Sequence, residues 1–290
     1  LAPGTMLVVE NGETRVERWY THRPQRLPES LSDGEATEAL LGLYKDAMRR
    51  HLIADVPVGL LLSGGIDSGL LLGLMNLYGK DWQTYTVGYG QDAYKDDELD
   101  DAAETARLYG SRHAQVELSR DIFERALPKI VSILEEPIAA SSIVPMFYVC
   151  ERARRDVKVA LVGQGPDELF AGYTRHLGVQ YGAQWRRLPG WLRRGLAAGI
   201  ERLPRNEALK RGVYALDVDD PLERYRNVFS LLPGGEVDAL FRKGVLPAGA
   251  GDRIVEFWQD LLPEMEGADE LGGFQVLEVR SSLPDELLMY

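Results

Sequence analysis

The 290-residue chain contains one cysteine, Cys150, so it forms no internal disulfide. A lone thiol fits a reducing compartment, and the chain is expected in the cytoplasm. Cys150 ends the apolar run Phe147-Tyr148-Val149-Cys150, where a small buried hydrophobe is expected rather than a nucleophile. Histidine is scarce: four residues at 22, 51, 113 and 176 show no ligand spacing, and no zinc site is readable. No apolar run is long and uncharged enough to cross a bilayer. Residues 1–20 lack the basic start and apolar block of a signal peptide. Basic charge is in deficit, with 33 Lys+Arg against 45 Asp+Glu and a formal net charge of −12. A polyphosphate backbone is repelled on average, so no nucleic-acid partner is expected. The pairs Arg186-Arg187 and Arg193-Arg194 read as solvated helical surface.

What is present is an alternation of short apolar runs and helical periods. Residues 1–20 read as two strands around the hairpin signal Glu10-Asn11-Gly12-Glu13, and 21–34 as a linker. From residue 35, Ala39, Leu40, Leu43, Ala47 and Met48 fall on one helix face, with Ser32 or Asp33 as the cap. Strands are expected over 58–62, 83–87, 113–118 and 157–162. Helices are expected over 68–78, 98–109, 119–134 (capped by Ser119) and 143–154. Fully apolar strands such as Val58-Gly59-Leu60-Leu61-Leu62 suit the buried centre of a parallel sheet. Strict alternation predicts a doubly wound, mostly parallel α/β domain. After about Tyr173 the strand signal ends, and proline-punctuated helices follow to residue 290. The expected organisation is therefore 1–34 as hairpin and linker, 35–176 as the α/β core, and 177–290 as a mainly helical region.

Two stretches carry chemistry. In the first, an apolar strand runs into Ser63-Gly64-Gly65-Ile66-Asp67-Ser68 and then a helix. Glycines let backbone N–H groups approach a phosphate, and a helix N-terminus adds positive potential there. Asp67 would repel a bare phosphate, which points to an intervening magnesium ion. The loop lacks the Gly-Lys-Ser/Thr of a Walker A sequence. In the second, a strand ends in Gly163-Gln164-Gly165 and runs through Pro166-Asp167-Glu168-Leu169-Phe170-Ala171-Gly172-Tyr173. Loops at the carboxyl ends of parallel strands converge on one crevice, where Asp167 and Asp67 are expected to share the metal. The bland alternative is helix capping by Asp67, Ser68 and Asp167, which metal binding does not exclude.

The first loop resembles the PP-loop of the N-type ATP pyrophosphatases, and the second stretch resembles the synthetase domain of the asparagine synthetase family. Tyr85-Thr86-Val87-Gly88, Asp96-Asp97-Glu98, Gly110 to His113, Glu135-Glu136-Pro137 and Pro145-Met146 add to the likeness. It implies ATP and Mg2+ as cofactors. Leu61 and Val87 would flank the adenine, with Gly88 beside them. Ser63, Gly64, Gly65, Asp67 and Ser68 would hold the phosphates, and Asp67 and Asp167 the magnesium. Gly163 and Gln164 would face an acyl-adenylate, with Gln164 and Asp167 as catalytic residues. The implied substrates are ATP, aspartate and ammonia released by a glutaminase domain.

One departure matters: family members often carry glutamate at the position of Gln164. A carboxylate accepts a proton from ammonia, whereas an amide only orients it. The family's glutaminase nucleophile is an N-terminal cysteine, and no cysteine precedes Cys150. The likeness thus implies that 1–34 is the end of a glutaminase domain plus a linker, that the hairpin is poorly ordered without that domain, and that 177–290 stops short of the family's C-terminal segment. A homodimer is left open. The rival readings are a β-lactam-forming or other amide synthetase with another carboxylate, a tRNA-thiolating enzyme, and a non-catalytic nucleotide-binding module. The tRNA-thiolating enzyme would want a basic surface and reactive cysteines, which this chain lacks.

Overall fold

The structure is a computed structural model that describes residues 1–21, 31–90, 98–135, 142–203, 207–230, 232, 239–242, 245 and 252–289. Most of the linker, Asp96-Asp97 and Glu136-Pro137 lie outside the described residues. The chain clusters into two compact units, Leu27–Gln164 with Asp285–Tyr290, and Leu1–Arg26 with Gly165–Pro284. Among the described residues no helix is long and apolar enough to cross a membrane.

The first unit is a four-stranded parallel sheet. Its strands are β3 (Val58–Leu61), β4 (Gln83–Gly88), β5 (Arg112–Glu117) and β6 (Val159–Leu161), in the order β5-β4-β3-β6. β1 (Thr5–Glu10) and β2 (Glu13–Arg18) belong to the second unit. Helices cover both faces. On one, Leu60 and Leu62 pack with Met48 of α1 (Asp33–His51), Leu72 and Met75 of α2 (Ile66–Met75), and Ala102 and Ala106 of α3 (Leu99–Tyr109). On the other, Tyr85 packs with Val149 and Ala153 of α5 (Ile143–Ala153). Leu118 packs there with Ala126 and Ile130 of α4 (Arg120–Leu134). This is the doubly wound arrangement that the alternation predicts.

The caps follow from local chemistry. Ser32 caps α1 in a reciprocal box with Glu35, and the Ser119 hydroxyl accepts from Ile122 N at 3.3 Å. Two details differ from the sequence reading. β6 is shorter than 157–162 and only partly buried: among the described residues it is the edge of the sheet, paired with β3 alone. α2 starts at Ile66 rather than 68: Gly65 takes the extended N-cap conformation (φ −78°, ψ 158°), which puts Asp67 in the first turn.

The second unit is helical after residue 165 and carries the hairpin. β1 and β2 pair antiparallel over six residue pairs, from Thr5↔Arg18 to Glu10↔Glu13. The hairpin that the Asn11-Gly12 turn predicts is formed, and Arg280 Nη1 donates to Pro3 O at 3.1 Å. The helices are α6 (Pro166–Phe170), α7 (Thr174–Arg187), α8 (Gly190–Glu201), α9 (Glu207–Leu216), α10 (Pro221–Phe229), α11 (Asp252–Gln259), α12 (Leu262–Met265) and α13 (Glu270–Leu277). A π-helical turn at Glu278–Ser282 follows, and α14 (Leu283–Met289) belongs to the first unit from Asp285 on. Val179, Leu222, Tyr225, Trp258, Phe274 and Leu277 form the core. Residues 165–176, read from the sequence with the α/β core, cluster with these helices. Prolines start helices here, as at Pro166 and Pro221, where the missing N–H is not needed.

Candidate functional site

The sheet has one point where the strand order reverses. From β3 the chain steps outward to β4 and β5, then returns to place β6 on the other side of β3. Ligands of open parallel sheets bind beyond the carboxyl ends at such a point. The two glycine loops follow β3 and β6, and because β3 runs parallel to both β4 and β6, the three carboxyl ends lie on one side of the sheet.

The β3 loop is held from within. The Ser68 hydroxyl is 3% exposed; it accepts from Ser63 N at 3.0 Å and lies 2.9 Å from Ser63 Oγ. It also lies 3.1 Å from Ser63 O and 3.2 Å from Gly65 O. Ser68 thus braces the loop against the first turn of α2, while Gly64 and Gly65 remain exposed. The Gly64 N–H donates to the Glu98 carboxylate at 3.3 Å, and the Gly65 N–H to Ser63 Oγ at 3.2 Å. A carboxylate on an exposed glycine N–H, beside a helix N-terminus, shows that the loop accepts an anionic oxygen. Sequence reasoning used Glu98 only as part of an acidic run and passed over Asp101. A Cβ on Gly64 would lie 3.0 Å from Asp101 Cβ, so α3 approaches the loop closely.

Asp67 is half-buried in the first turn of α2. Its carboxylate raises the Tyr44 phenol, after burial, which acts more strongly. Mg2+ is held by one or two carboxylates together with phosphate oxygens rather than by a full protein cage. Asp67 beside an anion-accepting loop fits that donor set. Among the described residues no group of three His, Cys, Asp or Glu forms a metal site.

The β6 loop packs onto the same turn. A Cβ on Gly163 would stand 2.9 Å from Ser68 N and 3.3 Å from Ser68 Cα, so only glycine fits. Gln164 follows with its Oε1 buried and without a hydrogen-bond partner. It lines a cavity of about 350 Å3 with Leu61, Val162, Met146 and Cys150. Leu61 and Gln164 thus share one space. Val87 packs beside it against Tyr85 and Val149, and Gly88 is buried at the end of β4, its carbonyl accepting from Leu118 N at 2.8 Å. Burial pushes the Cys150 thiol up, which keeps it protonated and supports the expectation of a small apolar residue.

Asp167 lies in the first turn of α6, in the other unit. Gly165 has φ +114°, a conformation open to glycine, and a Cβ on Gly172 would collide with the Asp167 carboxylate. Behind it Glu168 is 3% exposed; its Oε1 accepts from Tyr173 OH at 2.8 Å, and its Oε2 has no partner. Burial first, then Glu168, raises the Tyr173 phenol.

Residues 39–289 match the asparagine synthase family. The glutamine-hydrolyzing asparagine synthetase 1 of Bacillus subtilis (strain 168) is 34% identical over 197 residues, covering 67% of this chain and 30% of that protein. The glutamine-hydrolyzing asparagine synthetase of Asparagus officinalis is 30% identical over 183 residues, covering 59% and 30%. The match thus spans about a third of the length of these relatives. Among solved structures, the NH3-dependent NAD synthetase from Campylobacter jejuni has a TM-score of 0.33 at 18% identity, covering 50% of this chain and 62% of that one.

Proposed function

Since the chain belongs to the asparagine synthase family, we propose that it carries the ATP-using half of an asparagine synthetase and activates the side-chain carboxylate of aspartate as an acyl-adenylate. The observation that supports this reading most is the Gly64 N–H, exposed at the carboxyl end of β3 and already taken by a carboxylate. In this reading Ser63, Gly64, Gly65, Asp67 and Ser68 hold the phosphates of ATP, and Ser68 also keeps the loop in shape. Leu61 and Val87 flank the adenine, next to Gly88.

The aspartate carboxylate attacks the α-phosphorus; the bond to the β-phosphate oxygen breaks, and pyrophosphate leaves against the loop. Mg2+, held by Asp67 and Asp167, would neutralise charge on the phosphates. Ammonia then attacks the acyl carbon beside Gly163, the acyl C–O bond to phosphate breaks, AMP leaves, and the proton lost from nitrogen passes to the AMP phosphate or to water. Gln164 orients the ammonia: its unpartnered buried oxygen is an acceptor for an ammonia N–H. The chain mainly positions reactants and stabilises charge. The nitrogen comes from glutamine hydrolysed by a glutaminase outside these 290 residues, since no cysteine precedes Cys150. A soluble cytoplasmic enzyme completes the proposal, with the homodimer left open.

Gln164 favours one second reading, in which the same adenylation serves a carboxylate other than aspartate. Exchange of labelled pyrophosphate into ATP separates the two. Exchange that depends on aspartate, and is lost in Asp67→Asn and Asp167→Asn with the fold intact, is the expected result. Exchange with another carboxylate but not aspartate moves the assignment to the second reading. Near-normal exchange in either variant removes the shared metal.

A further inference from the structure

The helical unit holds a cavity that the adenylation reading does not use. It lies between the start of α7, α9 and the end of α10 and has a volume of about 570 Å3, within the range of small-molecule sites. Its walls are apolar at Leu216, Val228 and Phe229. Two helix positions that face it carry no side chain. A Cβ on Gly212 would meet nothing within 4 Å, and one on Gly178 would meet Leu216 at an ordinary 3.6 Å. Sterics therefore do not require glycine at either position, and the two absent side chains leave the space open.

Polar groups converge on it. The Arg175 guanidinium lies 3.9 Å over the Tyr173 ring and 5.5 Å from that of Phe229. Its Nε and Nη2 reach Glu278 Oε1 at 2.8 and 2.6 Å. Glu278 is fully buried, and its Oε2 lies 2.6 Å from His176 Nε2. His176 Nδ1 accepts from Tyr173 N at 3.2 Å, so Nε2 carries the hydrogen that Glu278 receives. Arg175 is therefore fixed in orientation, with its Nη1 edge unused among the described residues. The side chains of Thr174 and Asn227 line the same cavity and make no hydrogen bond among the described residues.

We propose that this cavity binds a small monocarboxylate with an aromatic body, the carboxylate on Arg175 Nη1 and Asn227 and the ring against Phe229 and Leu216. The chemistry excludes the neighbouring classes. A polyphosphate needs more cation than one arginine whose other donors serve Glu278. A cationic ligand would meet aromatic faces that Arg175 already covers. A neutral lipophile would strip water from Arg175, Asn227 and Thr174 and replace none of their hydrogen bonds.

The probe is 4-fluorophenylacetate, titrated into the 290-residue chain and followed by 19F NMR. Saturable binding is expected, weakened by about tenfold or more in Gly212→Leu, which fills the cavity, and in Arg175→Gln, which removes the charge-assisted bonds. The neutral amide 4-fluorophenylacetamide should bind about tenfold more weakly than the acid. Circular dichroism confirms the fold of each variant. Should Arg175→Gln unfold, the Gly212 variant and the neutral amide still decide. No saturable binding, equal binding of acid and amide, or unchanged binding in Gly212→Leu overturns the proposal.

Discussion

Among the described residues of the sheet unit, the polar residues buried as a whole carry hydroxyls: Ser68, Thr84 and Thr86. Each is hydrogen-bonded, Ser68 within its own loop, Thr84 across to Ser111 and His113, and Thr86 across to Leu62 O. In the helical unit the buried polar groups are Glu168, His176, Arg224, Glu278 and Arg280. Hydrogen-bonded hydroxyls cost little to bury: Ser68 and Thr86 stiffen the carboxyl side of the sheet, where a ligand is expected, and Thr84 ties the amino ends of β4 and β5. Buried ionic groups cost several kcal/mol each unless paired, so they demand one arrangement of the helices. Polarity thus serves loop shape in one unit and helix docking in the other.

The largest expected break of this contrast is Glu278→Ala. Removing the shared acceptor of Arg175 and His176 should cost about 3–5 kcal/mol, read as a lower denaturant midpoint. The exposed pair Arg120–Glu124 is the control, where Glu124→Ala should cost about 0–1 kcal/mol. Equal losses would dissolve the distinction between the units.

Next in size is Gly163→Ala in the sheet unit. The new Cβ meets backbone at Ser68 N, so one of the two loops must shift, at about 1–3 kcal/mol. Pyrophosphate exchange should fall more steeply than stability, because the displaced atoms belong to the phosphate loop. A variant with full exchange would show that the packing of the loops is irrelevant to the site.

The smallest effect concerns His113. Burial lowers its pKa below the usual 6.5, with Nδ1 3.0 Å from Thr84 Oγ1 and Nε2 without a partner. The unfolded chain therefore takes up its proton at a higher pH than the folded one. Stability from this group is complete above 6.5 and is lost as pH falls from there through the folded value. Chemical denaturation of His113→Gln between pH 7 and 5 should give a flatter acid limb than the parent; identical limbs would remove His113 from the account.

The sequence made the site loops legible because their signals are local. Val58 to Leu62 is an uninterrupted apolar run, and the glycines that follow stand next to it in the chain. Edge position is not local: 157–162 reads as a buried strand, yet among the described residues β6 pairs with β3 alone. Nor is the meeting of Gly64 with Glu98, since no spacing rule links a loop to a carboxylate on a later helix. The Arg175–Glu278 pair was invisible for the same reason, and with it the cavity beside it. Ser68 is expected on phosphate from its motif; that its hydroxyl also bonds within the loop becomes visible only once the loop is folded.

The central claim is that the exposed N–H groups after β3 receive pyrophosphate. A 15N–1H titration of the labelled chain with magnesium pyrophosphate tests it directly. The account predicts saturable shifts at Gly64 and Gly65, larger than those in the hairpin 5–18, and tighter binding of metal-free pyrophosphate in Glu98→Gln, where the competing carboxylate is gone. Unmoved Gly64 and Gly65 amides in a folded, saturated sample would contradict it.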